Sequence, residues 1–178
     1  MKKIKVLDKE FEISIPSEKI QARIKEMAAK LTEDLADKKP VFIGILNGSF
    51  MFASDLFKEI HFDAQITFLK LASYQGTTTT GSVKQLIGLN QNIEGQHIVI
   101  LEDIVDTGIT LENIMRQLDG YRPASISIVT LLYKPESFQK DIKLNYVGFT
   151  IPNDFIVGYG LDYDGYGRRY KDIYTVVE

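Results

Sequence analysis

His97-Ile98-Val99-Ile100-Leu101-Glu102-Asp103-Ile104-Val105-Asp106-Thr107-Gly108-Ile109-Thr110 is the stretch on which the reading of this chain turns. It opens as an unbroken apolar run, the mark of a strand buried on both faces. Three carboxylates follow within five residues, Glu102, Asp103 and Asp106. Leu111, Ile114, Met115 and Leu118 then recur at helical spacing, with Gly120 near the helix end. The segment is therefore a strand, an acidic turn and a helix. In open α/β sheets, ligands bind outside the carboxyl ends of such strands. The helix opened by Thr107-Gly108-Ile109-Thr110 offers free backbone N–H groups and a positive dipole end to a phosphate. Gly108 allows close backbone approach, and Thr107 and Thr110 add hydroxyls. Acids that can hold hydroxyls, a metal-bound sugar or a proton thus stand beside an anion cradle. A phosphorylated sugar needs both.

Outward from this unit, strands and helices alternate. Val6, Phe11, Ile13 and Ile15 suggest a short extended pair. Ile20, Ile24, Met27, Leu31 and Leu35 mark a helix, with Ser17 as its expected N-cap and Pro40 beyond its end. Val41 to Leu46 is a short buried strand, Asn47-Gly48-Ser49 a turn, and Phe50 to Glu59 a helix. Ala64 to Leu71 reads as a strand. Ser73 to Ser82, rich in Thr and Gly without apolar period, reads as a mobile loop. Ser125 to Leu132, Tyr146 to Phe149 and Phe155 to Tyr159 complete the strands. The alternation predicts a mainly parallel twisted sheet flanked by helices.

Composition narrows the function classes. The 178 residues suit a single domain of ordinary soluble composition, 44% hydrophobic and 25% charged. The absence of cysteine excludes disulfides, thiolate metal sites and a Cys nucleophile. His61 and His97 are too few for a multi-histidine metal site and read as structural or surface residues. A net charge of −3 argues against a nucleic-acid partner. No apolar run approaches the ~20 residues of a membrane span, and no signal peptide is visible, so a cytoplasmic location is expected. Gly76 to Ser82 superficially looks like a P-loop, but no Lys follows its second glycine. No GxGxxG occurs.

The whole pattern runs as four apolar residues, Glu102-Asp103, two apolar residues and Asp106-Thr107-Gly108-Ile109-Thr110. It resembles the phosphoribosyl-pyrophosphate motif of type I phosphoribosyltransferases. Four further segments are similar to the hypoxanthine–guanine branch of that family, in the right order from about Val41 to Arg169. They are Leu46-Asn47-Gly48-Ser49, the loop starting Ser73-Tyr74, Lys134, and Phe155 to Tyr163 with Arg168 six residues after Asp162.

The resemblance implies a salvage enzyme that moves 5-phosphoribose from phosphoribosyl pyrophosphate to a 6-oxopurine, releasing pyrophosphate. It implies Asp106 as general base, and Glu102 and Asp103 on the ribose hydroxyls or their metal. Thr107, Gly108, Ile109 and Thr110 would hold the 5-phosphate. Asn47, Gly48 and Arg168 would bind pyrophosphate, with Arg169 the adjacent alternative. The family often has a non-proline cis peptide at the Leu46-Asn47 position, and usually Lys where this chain has Asn47. Lys134, Phe155, Ile156 and Asp162 would bind the purine. Ser73 and Tyr74 would begin a lid. Mg²⁺ is the implied cofactor, on Asp162 with Glu102 and Asp103. The family further implies a homodimer or homotetramer, with a core of about 17–150 and a hood from about 1–16 and 151–178. The alternative from a different class is a non-catalytic regulator of the same fold that senses phosphoribosyl pyrophosphate.

Overall fold

The computed structural model describes residues 3–74 and 83–177, with backbone only at 72–74 and 83–87. The strands are β1 (Lys3–Val6), β2 (Lys9–Ile15), β3 (Val41–Leu46), β4 (Gln65–Tyr74), β5 (Val83–Ile87), β6 (His97–Val105), β7 (Ser125–Tyr133), β8 (Tyr146–Thr150), β9 (Ile156–Val157) and β10 (Ile173–Val176). The helices are α1 (Ser17–Leu35), α2 (Phe50–Lys58) and α3 (Ile109–Asp119).

Six strands form the central sheet, in the order β5-β4-β3-β6-β7-β8. All its pairings are parallel except β4 with β5. Both faces are covered, which is why the strands read as continuous apolar runs. Phe42, Val99, Leu101, Val129 and Leu131 pack with the apolar stripes of α1 and α2. Their alternating neighbours Val41, Ile43, Ile45, Ile98, Ile100 and Ile128 pack with Leu111, Ile114 and Leu118 of α3. The period of two along each strand sorts the side chains between the two layers.

The strand order reverses between β3 and β6. After β3 the chain builds outward to β4 and β5, then returns to pair β6 on the other side of β3. Both strands deliver their following turns to the same end of the sheet, so a crevice opens there.

A second sheet, antiparallel and in the order β1-β2-β10-β9, joins the two ends of the chain. Its core is Val6, Phe11, Val157 and Tyr174. It is tied to the central layer at the start of α1. Ser17, expected there as an N-cap, is instead the first helical residue and makes no side-chain cap. Its backbone N–H donates to Asp172 Oδ1 at 2.7 Å. Asp172 is buried and also accepts a hydrogen bond from the Tyr174 hydroxyl at 3.2 Å. A carboxylate 155 residues away thus satisfies a helix N–H that no local side chain reaches.

Further boundaries differ from expectation, among them the strand expected over Phe155 to Tyr159, which is only Ile156–Val157. Glu102 and Asp103 belong to β6 itself, because pairing with β7 continues through Glu102↔Thr130 to Val105↔Tyr133. Ser73 and Tyr74 end β4, where pairing with β5 carries the strand beyond Leu71. The expected lid beyond them, 75–82, lies outside the described residues.

Candidate active site

The turns after β3 and β6 enclose a cavity of about 320 Å³. Leu46, Gly48, Glu102, Asp103, Asp106, Thr107, Gly108 and Thr110 are among its lining residues. Residues far apart in sequence meet here because β3 and β6 are adjacent and parallel.

The two strand acids are largely held away from water, Asp103 less completely than Glu102. Glu102 is buried, and burial with the neighbouring Asp103 charge pushes its pKa well above the usual carboxylate range. Burial also raises Asp103, to about 6, against the hydrogen bond its Oδ1 accepts from Ile104 N at 3.0 Å. Arg168 lowers the same group and Asp162 raises it, so both stand within electrostatic reach. Desolvated oxygens facing a cavity favour an incoming cation or hydroxyl donor.

Asp106 differs from this pair. Its side chain is half exposed, and Lys134 Nζ stands 3.7 Å from its Oδ2. Lys134 is itself buried to 9% exposure, one residue past β7. Its N–H donates to Val105 O at 3.0 Å, and its Nζ donates to Asp154 O at 2.9 Å. The ammonium therefore spans from Asp106 to the residue before Phe155. The Phe155 ring is 41% exposed. It is backed by Phe11 at 6.0 Å and the edge of Tyr163 at 5.4 Å. That arrangement fixes one ring face and leaves apolar surface for a flat ligand. Ile156 follows, buried in β9.

The cradle at α3 is a backbone device. Gly108 precedes the helix with φ 82°, and Thr107 Oγ1 accepts a hydrogen bond from Ile109 N at 3.4 Å. A Cβ at Gly108 would lie 2.7 Å from Phe138 Cε2, so both conformation and space exclude a side chain. Ile109 contributes main chain to this turn, and its side chain is exposed.

The opposite wall joins two turns at backbone distance. The Leu46–Asn47 peptide is cis. At Gly48 a Cβ would fall 1.7 Å from Asp103 Oδ2, and at Gly160 one would fall 2.1 Å from Gly48 O. Arg168 lies at this junction: Nη1 donates to Gly160 O at 2.6 Å, and Nη2 pairs with Asp162 Oδ1 at 2.7 Å. Asp162 Oδ2 accepts from Gly165 N at 2.7 Å. Arg169 instead lies over the Tyr170 ring, 4.4 Å from its centroid. His97 is far from these groups, at the start of β6, with Nδ1 2.7 Å from Ser125 Oγ. Gly160 and Tyr159 were not singled out by sequence reasoning. Their signal was the Gly158-Tyr159-Gly160 alternation, whose three residues all have positive φ.

Comparison with known proteins points one way. The phosphoribosyl transferase domain family matches residues 16–164. A hypoxanthine-guanine phosphoribosyltransferase of Bacillus subtilis is 42% identical over 163 residues, 90% of this chain and 88% of the relative. A hypoxanthine phosphoribosyltransferase of Salmonella typhimurium is 40% identical over 165 residues, 91% of each chain. The crystal structure of a hypoxanthine-guanine phosphoribosyltransferase from Bacillus anthracis superposes with a TM-score of 0.85 at 36% identity, covering 93% of this chain and 98% of the other.

Proposed function

The chain belongs to the phosphoribosyl transferase family, in its hypoxanthine–guanine branch, and from that membership we propose how its residues divide the reaction. The reaction transfers 5-phosphoribose from phosphoribosyl pyrophosphate to hypoxanthine or guanine, giving IMP or GMP and pyrophosphate. The observation that carries the division of labour is the pairing of a desolvated acid pair with a backbone anion cradle on β6 and α3. One binds hydroxyls and the other a terminal phosphate, at the two ends of one phosphorylated ribose.

Thr107, Gly108, Ile109 and Thr110 hold the 5-phosphate on the helix N-terminus. Glu102 and Asp103 hold the ribose hydroxyls. The Asn47–Gly48 backbone and Arg168 hold pyrophosphate at the other end, through N–H groups and a guanidinium. With both ends fixed, the anomeric carbon C1′ is placed under the base. Phe155 stacks on the purine, the Ile156 backbone meets its edge, and Lys134 donates to the 6-oxo group. As purine N9 attacks C1′, the C1′–O bond breaks and its electron pair leaves with pyrophosphate. Asp106 takes the proton from N7 as a general base.

The donor set fits Mg²⁺. Among the described residues no three or more His, Cys, Asp or Glu converge into a closed cage. Mg²⁺ does not require one: it binds through one or two carboxylates, waters and substrate phosphate oxygens. Asp162 would hold one ion at the pyrophosphate end and the Glu102–Asp103 pair another at the ribose end, supplying charge neutralisation for the leaving group.

An absorbance assay with phosphoribosyl pyrophosphate, Mg²⁺ and separate purine bases tests the reading. Nucleotide formation with hypoxanthine or guanine, and not with adenine, is the expected result. Tight binding of phosphoribosyl pyrophosphate without turnover on any base would overturn it.

A further inference from the structure

Outside the cavity, one partly buried carboxylate is engaged from three elements at once. Asp55 lies on α2. Its Oδ2 accepts hydrogen bonds from the Tyr159 hydroxyl at 2.6 Å and from Gln21 Nε2 of α1 at 2.7 Å. Its Oδ1 stands 2.6 Å from Lys58 Nζ. Tyr159 is 2% exposed. It has φ 49°, between Gly158 at 98° and Gly160 at 97°. A bulky aromatic in the left-handed region is disfavoured and persists only where its surroundings over-determine it. Here the surroundings are a buried ring, the Asp55 acceptor, and a hydrogen bond from Tyr159 N to Tyr170 O at 2.7 Å.

The residue so held sets the position of its neighbours. Gly160 follows directly, and its backbone meets Gly48 O too closely for any Cβ. Gly160 also exchanges hydrogen bonds with Arg168: Gly160 N donates to Arg168 O at 3.0 Å, and Arg168 Nη1 donates to Gly160 O. The path from Asp55 to the Arg168–Asp162 pair is therefore Tyr159, then Gly160, then the guanidinium. Asp55 is on the helix that begins directly after the Asn47–Ser49 turn. One rigid element thus carries that turn at its start and the anchor for the opposing loop one turn further on.

We propose that Asp55 and Tyr159 form a positioning pair for the pyrophosphate end of the site. Their hydrogen bond sets the distance between the Gly48 turn and the Arg168–Asp162 pair, and neither side chain touches substrate. The inference rests on the assignment of Arg168 to pyrophosphate. Burial and the Asp55 carboxylate both push the Tyr159 phenol pKa up, so the hydroxyl remains a donor throughout the working pH range.

Tyr159→Phe tests this while keeping the ring and its volume. The KM for phosphoribosyl pyrophosphate, and for pyrophosphate in the reverse reaction, should rise about tenfold, as for loss of one hydrogen bond to a charged group. The KM for hypoxanthine should change less than twofold. Asp55→Ala should match it in the pyrophosphate KM, and the double variant should be no worse than either, since both remove the same Tyr159–Asp55 hydrogen bond. Gln21→Leu and Lys58→Ala remove the other two donors and should leave the pyrophosphate KM unchanged. A lowered Tm with unchanged KM values would make the pair merely stabilising and overturn the proposal. So would an equal rise for purine and pyrophosphate. Arg168→Ala separates the two levels. No effect on the pyrophosphate KM would remove the site assignment itself. A large effect there with none from Tyr159→Phe would remove only the positioning pair.

Discussion

Asp103 should make this protein less stable at neutral pH than at pH 4, and Asp103→Asn should shrink that difference. The folded chain holds the Asp103 proton up to about pH 6, against an ordinary 3.8. Between those values the folded state binds a proton that the unfolded state has lost. Stability therefore falls as pH rises through that window, and the loss is complete above about 6. At 1.36 kcal/mol per pH unit the span corresponds to about 3 kcal/mol. Solvent reaches part of the carboxylate, so roughly 2–3 kcal/mol is the expected size. For a chain of this length that is about 5–10 °C in Tm.

Asparagine does not ionise, and its Oδ1 can still accept from Ile104 N. Its amide against Gly48 adds a steric cost, but that cost is the same at every pH and cancels in the comparison. Thermal unfolding of both proteins at pH 4 and pH 7.5, without substrate or Mg²⁺, measures the difference directly. Glu102 is also pushed up by burial and by the Asp103 charge, so removing that charge adds to the variant's gain at pH 7.5. A Tm difference between the two proteins that is the same at both pH values would refute the reasoning. Added phosphoribosyl pyrophosphate with Mg²⁺ should stabilise the native protein more than the variant, because the native protein has one more desolvated carboxylate for the cation to relieve.

Asp106→Asn should lower kcat by about 10²–10⁴-fold while leaving phosphoribosyl pyrophosphate affinity nearly unchanged, since it removes a proton acceptor and no phosphate contact; steady-state kinetics with equilibrium binding of that substrate check both halves. Lys134→Ala should narrow the preference for hypoxanthine over adenine, read from the kcat/KM ratio of the two bases, because it removes the donor-only group beside Asp154 O. Asp172→Ala should lower stability by about 1–2 kcal/mol in denaturant unfolding, having taken the acceptor from Ser17 N. Its purine KM should also rise if the second sheet shifts against the core.

How much of this was legible in the sequence depends on the range of the interaction that decides each feature. The β6-to-α3 unit is local. Apolar run, acids, glycine and helical stripe all lie within about twenty residues, and each obeys a rule of spacing. The central sheet followed from the same periodicities. The end of β6 did not, because acids normally mark the end of a buried strand. Here β7 goes on pairing past Glu102, and the cavity gives the acids a face to occupy. The Ser17 cap failed for a similar reason. The pattern of a hydroxyl residue before a helix was present, but the helix starts one residue earlier: Pro16 O takes the Lys19 and Ile20 N–H groups, and Asp172 takes that of Ser17.

The glycines make the sharper case. Gly108 could be read from its place at a helix start, and its φ of 82° agrees. Gly48 and Gly160 are small for another reason: each lies against backbone or carboxylate from a segment far along the chain. No spacing rule encodes a contact between positions 48 and 160. It exists because α2 hangs the Gly48 turn from β3 while the loop after β9 is folded back by Tyr159. A site assembled this way is specified by packing of the two sheets, so the residues that tune it are expected among those joining them. Asp55, Tyr159 and Asp172 are such residues, and none of them lines the cavity.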